Sequence, residues 1–340
     1  MTMQALAVED PSGVAAARRE AVARADGQGM GEAGLGAVAL VATEMATNLL
    51  KHAGRGTVLA GTYGSLPDAA DADDGGVELI ALDRGPGMAD VLACRRDGFS
   101  TAGSAGQGLG AIARQSALFE IFSRPGQGTA MLARIPRRPR SAPAATQATT
   151  WGAVSVALAG QEVCGDAWGV RALPEGLELM VADGLGHGPA AAKAAAAALR
   201  CFFGSAGRAP AAMLEAMHGE LRPTRGAAAA VARLQGSTIV FAGLGNISGV
   251  AVGGGEMRRM VSMNGTLGHA ARRFQAFTST LPPSPLLVLH SDGIGSGWRL
   301  EDYPGLAMLH PSLIAAVLFR DFGRPRDDAT VLVARWGAAP

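Results

Sequence analysis

Cysteine is scarce in this 340-residue chain: Cys94, Cys164 and Cys201 are far apart and form no CxxC pair. That argues against a disulfide scaffold and a structural zinc site, and fits a reducing compartment. Neither sign of charge is in excess, with 30 Lys plus Arg against 29 Asp plus Glu for a net charge of +1. This near-balance speaks against a nucleic-acid binder driven by bulk charge and against a polybasic membrane-surface protein. Long apolar runs are missing as well: no segment approaches the roughly 20 unbroken apolar residues that cross a bilayer. The start carries Glu9, Asp10, Arg18 and Arg19 with no hydrophobic block, so no signal peptide is expected. A cytoplasmic protein without membrane or nucleic-acid partners is the expectation.

Glycine is what the chain has in abundance, 48 residues beside 18 prolines. Together they stay below the roughly 25–30% at which low complexity becomes the default reading. Part of the excess is a bias toward Ala and Gly, as in Ala194–Ala198; the rest is a candidate for phosphate- or metal-binding turns. With hydrophobic residues at 48%, the length suits two domains, each with its own core. The basic, proline-rich run Pro136-Arg-Arg-Pro-Arg-Ser-Ala-Pro143 and the small polar residues to Thr150 have no strand or helix period. Domains at 1–136 and 151–340 joined by a linker at 137–150 follow. Residues 65–76 read as a long hairpin loop inside the first domain. Each half mixes strands and helices, which places both in the α/β class as layered sandwiches.

In the first half, Glu44, Asn48, Lys51 and His52 fall on one stripe of a helix predicted over about 35–53. Leu40, Val41, Met45, Leu49 and Leu50 are expected on the buried side. A carboxylate, an amide and two basic groups together suit a phosphate–metal complex; an ordinary solvated helix face gives the same pattern. The strand Val77–Leu82 then ends in Asp83-Arg84-Gly85-Pro86-Gly87. A carboxylate at a strand end can accept from the amino group of a base, and the glycines admit close backbone approach. Next comes the Gly/Ser/Thr-rich run Gly98–Gly110, immediately before a helix. Its glycines and the helix amides suit anionic phosphates. Gly128-Thr129 opens the last strand.

In this order the motifs resemble the GHKL ATPase superfamily, and within it the small serine/threonine kinases that act on anti-sigma systems and bacterial stress switches. The resemblance covers about residues 5–136 and implies a two-layer α/β sandwich of the Bergerat type that binds ATP with Mg²⁺. It implies that Asn48 coordinates Mg²⁺ and that Asp83 reads the adenine amino group. Lys51, His52, Gly85, Gly87, Gly106, Gly108, Leu109, Gly110 and Thr129 complete the ATP site, the glycines at 106, 108 and 110 lining the phosphates. Glu44 would be the base that takes the substrate hydroxyl proton.

In the second half, four acidic spots stand beside glycine or another acid near strand ends. They are Gly165-Asp166, Asp183-Gly184-Leu185-Gly186-His187-Gly188, Ser291-Asp292-Gly293 and Arg326-Asp327-Asp328-Ala329-Thr330. Converging carboxylates repel and are costly to bury without cations, and hard oxygen donors suit Mg²⁺ or Mn²⁺. The set resembles the metal-dependent type 2C (PPM) protein phosphatases, specifically their short SpoIIE-like bacterial branch, over about 151–337. That implies an α/β/β/α sandwich holding two Mn²⁺ or Mg²⁺ ions. Asp183 would bridge them with the Gly184 carbonyl, and Asp166, Asp292 and Asp327 would complete the set. Spacing does not separate Asp327 from Asp328. Larger members of that family grip phosphate with an Arg near their N-terminus; no Arg precedes Asp166 in the expected first strand. His187 reads equally as a phosphate contact, an acid or a turn residue, Asn246 and Asn264-Gly265 as turn formers with lining of the site as the lesser alternative, and Cys164 as packing.

Together the two resemblances imply an ATP-dependent serine/threonine kinase joined to a metal-dependent phosphoserine/phosphothreonine phosphatase. The implied partners are STAS-domain anti-anti-sigma or stressosome proteins, with a sigma factor and a second copy of the chain as further candidates. The alternative is an ATP-dependent anti-sigma or scaffold-binding module in which only the phosphatase half is catalytic.

Overall fold

The computed structural model describes residues 2–64, 75–91, 108–138 and 149–337. The chain divides into two compact units, Met3–Ala145 and Thr146–Pro340.

In the first unit, β1 (Gln4–Val8) leads into α1 (Pro11–Gly27). Asp10 caps that helix, its Oδ1 accepting from the N–H groups of Ser12 (2.7 Å) and Gly13 (3.2 Å). Ala17, Ala21 and Ala25 recur every four residues and are fully buried, so the helix approaches its neighbours closely on a stripe of methyl groups. Next, α2 (Glu32–Asn48) buries Val38, Val41, Ala42, Met45 and Ala46. Leu40, expected on that face, is 40% exposed. It stands about 100° around the helix from Val41, outside the buried stripe. Glu32–Ala53 has the length and mean hydropathy (1.4) of a bilayer span. It is nevertheless interrupted by Glu44, Asn48 and Lys51, and its apolar face lies in the unit's core.

The strands β2 (Gly56–Tyr63), β3 (Gly76–Leu82), β4 (Leu118–Arg124) and β5 (Gly128–Pro136) join β1 in one sheet of order β1-β2-β3-β5-β4. Every neighbouring pair is antiparallel. α1, α2 and α3 (Gly108–Gln115) pack with this sheet, giving a two-layer α/β sandwich. Most residues of the Gly98–Gly110 run, Gly106 among them, lie outside the described residues, as do 65–74 and the 139–148 part of the expected linker.

The second unit has two antiparallel five-stranded sheets. One has the order β13-β10-β9-β8-β7, from β7 (Asp166–Leu173), β8 (Gly176–Gly184), β9 (Ala227–Gln235), β10 (Thr238–Leu244) and β13 (Ala276–Thr280). The other has the order β12-β11-β14-β15-β6, from β6 (Thr150–Val156), β11 (Ser248–Gly253), β12 (Glu256–Arg259), β14 (Leu286–His290) and β15 (Ala329–Arg335). α4 (Pro189–Gly204) and α5 (Pro210–Leu221) cover the first sheet, and α6 (Pro311–Phe322) covers the second. Each of the three opens on proline, whose missing N–H is no loss in a first turn. The result is an α/β/β/α sandwich, with alternate residues of β8 and β9 turned toward the helices.

One charged row crosses the first sheet. Arg171, Glu178 and Arg233 are cross-strand neighbours on β7, β8 and β9. Glu178 is fully buried and accepts from both guanidinium groups, Arg171 Nε at 2.9 Å and Arg233 Nε at 2.7 Å. Arg171 also donates to the Phe202 carbonyl (2.8 Å) and lies over that residue's ring. Removing the acid strands two cations, one of them buried, at a cost of about 3–5 kcal/mol. Glu178→Ala should therefore lower the urea stability of the full chain by that amount. A loss under about 1 kcal/mol would mean the row carries little of the sheet's stability.

Candidate functional sites

At the end of α2 the helix widens into a π-helical turn, Leu49–Ala53, closed by Gly54 in the left-handed region (φ 75°). Each π turn inserts one residue and so rotates the residues beyond it by about 100° relative to a continuous α-helix. Lys51 and His52 are exposed in the turn, whereas Glu44 and Asn48 are partly buried beside the start of α3. A Cβ on Gly108 would lie 2.8 Å from Glu44 Oε2 and 3.9 Å from Asn48 Oδ1, so glycine lets the two helices meet there.

The π turn also abuts the end of β3: a Cβ on Gly85 would lie 2.7 Å from Ala53 Cβ. Asp83 Oδ1 accepts from the N–H of Gly85 (2.8 Å) and of Thr129 (3.1 Å). Thr129 in turn shares a hydroxyl hydrogen bond with Ser123 (2.8 Å). Glu44 and Asn48 at the end of α2, Gly108 at the start of α3, and Asp83 and Thr129 at strand ends thus gather at one end of the sheet. Gly87 has a structural requirement of its own, a positive φ (69°) and a Cα packed on the Arg124 carbonyl. Leu109 packs against the unit's core, and Gly110 follows it in α3.

In the second unit, the end of the β7–β8 pair sets Asp166 directly opposite Asp183. Asp292 follows β14, and Asp327 lies just before β15. Like charges opposite one another oppose folding, and the protonation equilibria reflect it. Burial, with the negative charges of Asp166, Asp292 and Asp327, pushes the Asp183 carboxyl up to about 9. Burial raises Asp166 to about 7 despite hydrogen bonds from Ser291 and Thr330. Asp327 is raised by burial and by Asp292.

Asp166 Oδ2 accepts from the Ser291 hydroxyl (2.7 Å), while its Oδ1 is buried with no hydrogen-bond partner. A buried carboxylate oxygen without a hydrogen-bond partner, close to further acids, belongs to a set of hard donors that fits a divalent ion. Among the described residues, no three acidic, His or Cys side chains already stand in chelating geometry.

The adjacent acids separate cleanly. Asp328 is buried and accepts from two backbone N–H groups, Leu158 (2.8 Å) and Gly165 (2.9 Å), clamping the loop that delivers Asp166. Asp327 instead faces Asp292. Gly184 N–H bonds to the Gly165 carbonyl (3.0 Å), and a Cβ on Gly184 would strike the Ala191 carbonyl at 2.1 Å.

Sequence reasoning missed the supporting polar groups. Ser291 holds Asp166 and accepts from the Thr330 N–H (3.0 Å); Thr330 bonds onward to Ser155 (2.9 Å), so the network joins the two sheets. Asn246, read first as a turn former and second as lining the site, donates to Asp292 Oδ2 (2.7 Å). It also lines an open cleft of about 490 Å³ with Leu185, Ala228, Gly245, Asn264, Gly265 and Thr266. The only sequence sign of these residues was their adjacency to the acidic or Asn-Gly turns. Cys164 is buried, and burial together with Asp166 pushes its thiol up to about 12, so it packs as an uncharged group. His187 is exposed.

Fold and sites together define a two-domain protein: a two-layer α/β sandwich with a polar cluster at one end of its sheet, followed by an α/β/β/α sandwich with an acidic centre at its strand ends. Residues 7–135 match the histidine kinase-like ATPase domain family. Residues 174–337 match the stage II sporulation protein E (SpoIIE) family, a stretch that holds Asp183, Asp292 and Asp327 and begins just after Asp166. The chain therefore carries one region that matches the histidine kinase-like ATPase domain family and a second that matches the SpoIIE family.

The serine/threonine-protein kinase RsbT of Bacillus subtilis (strain 168) is 36% identical over 87 residues, 26% of this chain. The chain spans 61% of that relative's length. A solved structure of the bacterial stressosome, described as a modular system adapted to control secondary messenger signaling, is 29% identical with a TM-score of 0.52. It covers 55% of this chain and 99% of its own. The crystal structure of RsbX in complex with magnesium shares the fold, with 20% identity, a TM-score of 0.50 and coverage of 55% and 94%.

Proposed function

We propose that the chain is a bifunctional switch, an ATP-dependent protein serine/threonine kinase (1–136) tethered through 137–150 to a divalent-metal-dependent phosphoserine/phosphothreonine phosphatase (151–340). The observation that carries the phosphatase half is the buried, unpartnered Oδ1 of Asp166, the residue paired across the strands with Asp183. Asp166, Asp183, Asp292, Asp327 and the Gly184 carbonyl are the donors for two Mn²⁺ or Mg²⁺ ions. When bound, such ions supply a water ionised near neutral pH as nucleophile. Around them the chain's own residues keep the donors in place: Ser291 fixes the Asp166 rotamer, Asn246 holds Asp292, and Asp328 ties down the 158–165 loop. The cleft from Leu185 to Asn246 offers uncharged walls, part apolar and part amide and hydroxyl, to the polypeptide that bears the phosphoryl group.

In the first half, Asn48 holds Mg²⁺, Asp83 accepts from the adenine amino group, and Gly106, Gly108 and Gly110 line the phosphates. Lys51 and His52 are exposed close by, and Glu44 takes the proton of the attacking hydroxyl. Opposed activities on one chain set and reset the phosphorylation of one partner, and the tether raises the local concentration of the second domain at a partner held by the first. STAS-domain or stressosome proteins in the cytoplasm are the proposed partners, in line with the RsbT likeness and the stressosome structure.

The test uses the full chain, γ-labelled ATP and a STAS-domain protein. Label should move to a serine or threonine of the partner with Mg²⁺ and ATP, and Mn²⁺ should then release it as inorganic phosphate unless EDTA is present. Release that persists in excess EDTA would overturn the metal centre. ATP-dependent partner binding without label transfer would overturn the kinase half.

A further inference from the structure

The acidic centre leaves one requirement unmet. Two divalent cations balance four carboxylates, so a phosphoryl dianion arriving there still needs a positive group of the protein's own. The sequence places no arginine before Asp166 in the first strand of this domain. We infer that Arg225, in the turn between α5 and β9, is the side chain that grips the phosphoryl oxygens. The inference rests on the phosphatase reading of the centre and names the group that reading lacks.

Arg225 reaches the loop that follows Asp183. Its Nη1 lies 3.2 Å from where a Cβ on Gly186 would stand. Gly186 has φ 84°, and any side chain there would be strained and would press on the guanidinium. The backbone around Arg225 is held on both sides. Gly226 N–H bonds to Thr224 Oγ1 (3.0 Å), the Gly226 carbonyl accepts from Leu185 N–H (3.0 Å), and Ala227 pairs with Leu267. Leu185 and Ala228 line the cleft, so Arg225 stands where the cleft meets the Asp183–Gly188 loop.

Its head group, by contrast, is uncommitted. Arg225 is exposed and makes no hydrogen bond or ion pair among the described residues, unlike Arg171 and Arg233, which are both bound to Glu178. A guanidinium anchored at its base and open at its tip presents a planar fork of N–H donors suited to phosphate oxygens.

The experiment measures binding of inorganic phosphate to the Mg²⁺-loaded full chain by calorimetry, with KM and kcat for p-nitrophenyl phosphate alongside. Arg225→Ala should weaken phosphate binding and raise KM by about ten- to a hundredfold, the range of a charged hydrogen bond. Arg225→Lys should recover part of the loss, and neither variant should change the Tm or the Mg²⁺ concentration for half-activation. Arg326→Ala, next to Asp327 in the chain, is the control cation. Unchanged phosphate affinity in Arg225→Ala, an equal loss in Arg326→Ala, or a shift in Mg²⁺ dependence would each overturn the assignment. A wild type that hydrolyses no phosphate ester with any divalent ion would sink the phosphatase reading instead, and the phosphate affinities would still decide the role of Arg225.

Discussion

Asp183→Asn is expected to abolish phosphate release while making the metal-free protein more stable. Its carboxylate sits opposite Asp166 and feels Asp292 and Asp327 as well. In the proposed centre it would be the donor shared by both cations. Outer-shell partners of metal ligands alone are worth roughly ten- to a hundredfold in activity, so loss of this ligand should exceed about a hundredfold. Without cations the same carboxylate is a liability. Its folded-state value, about 9, lies above the ordinary 3.8. A carboxyl with a raised folded value contributes stability that is fully present below about pH 4 and is lost as pH rises toward 9. Asp166, raised to about 7, adds to the trend up to neutral pH.

In EDTA the wild type should therefore lose stability between about pH 5 and pH 8, by on the order of 1 kcal/mol per pH unit for each carboxyl that keeps its proton only when folded. Mg²⁺ or Mn²⁺ should flatten the slope by taking the proton's place. The asparagine variant, whose amide can donate to Asp292, should show a shallower slope in EDTA and little stabilisation by metal. Thermal melts of both proteins at pH 5 and pH 8, with and without Mn²⁺, check this. A variant less stable than wild type at pH 8 in EDTA would refute the electrostatic account of the centre.

The parts of this molecule that arise from local pattern were legible before folding. The four acids at strand ends, the alanine-rich helices and the Asp83 turn are all written in contiguous residues. What was not legible depends on distant chain segments. Asp327 and Asp328 are adjacent and chemically identical. One is separated from the other only by Leu158 and Gly165, whose N–H groups lie 170 and 163 residues away in sequence. The π turn that holds Lys51 and His52 gives no sign in the local pattern, which reads as continuous α-helix through Ala53. The strands β1, β12 and β13 are short edge strands; Glu256–Arg259 is charged at three of four positions, as edges often are, which hides them from a hydrophobic reading. Arg225 carries no motif at all, and only the closeness of Gly186 marks it.

Glu44→Gln is expected to cut phosphoryl transfer to the partner by about 10²–10⁴, the usual worth of a positioned general base, while leaving ATP binding intact. The side chain is partly buried beside Gly108, where it touches the start of α3 and stands one helical turn from Asn48. Glutamine keeps its size and its packing there but cannot take a proton. Asp83→Asn supplies the contrasting loss. Its Oδ1 can still accept from Gly85 and Thr129, so the turn should hold. The amide, however, presents an N–H₂ where an adenine amino group would need an acceptor, leaving two donors facing each other. ATP affinity should fall about tenfold or more, with the rate at saturating ATP near that of wild type. The two variants thus separate chemistry from binding: one lowers the rate at unchanged ATP affinity, the other the reverse. Nucleotide titration by fluorescence and single-turnover label transfer measure the two quantities independently. If Glu44→Gln transfers label at the wild-type rate, the half-buried carboxylate at the end of α2 belongs to the packing of Gly108 and not to the reaction.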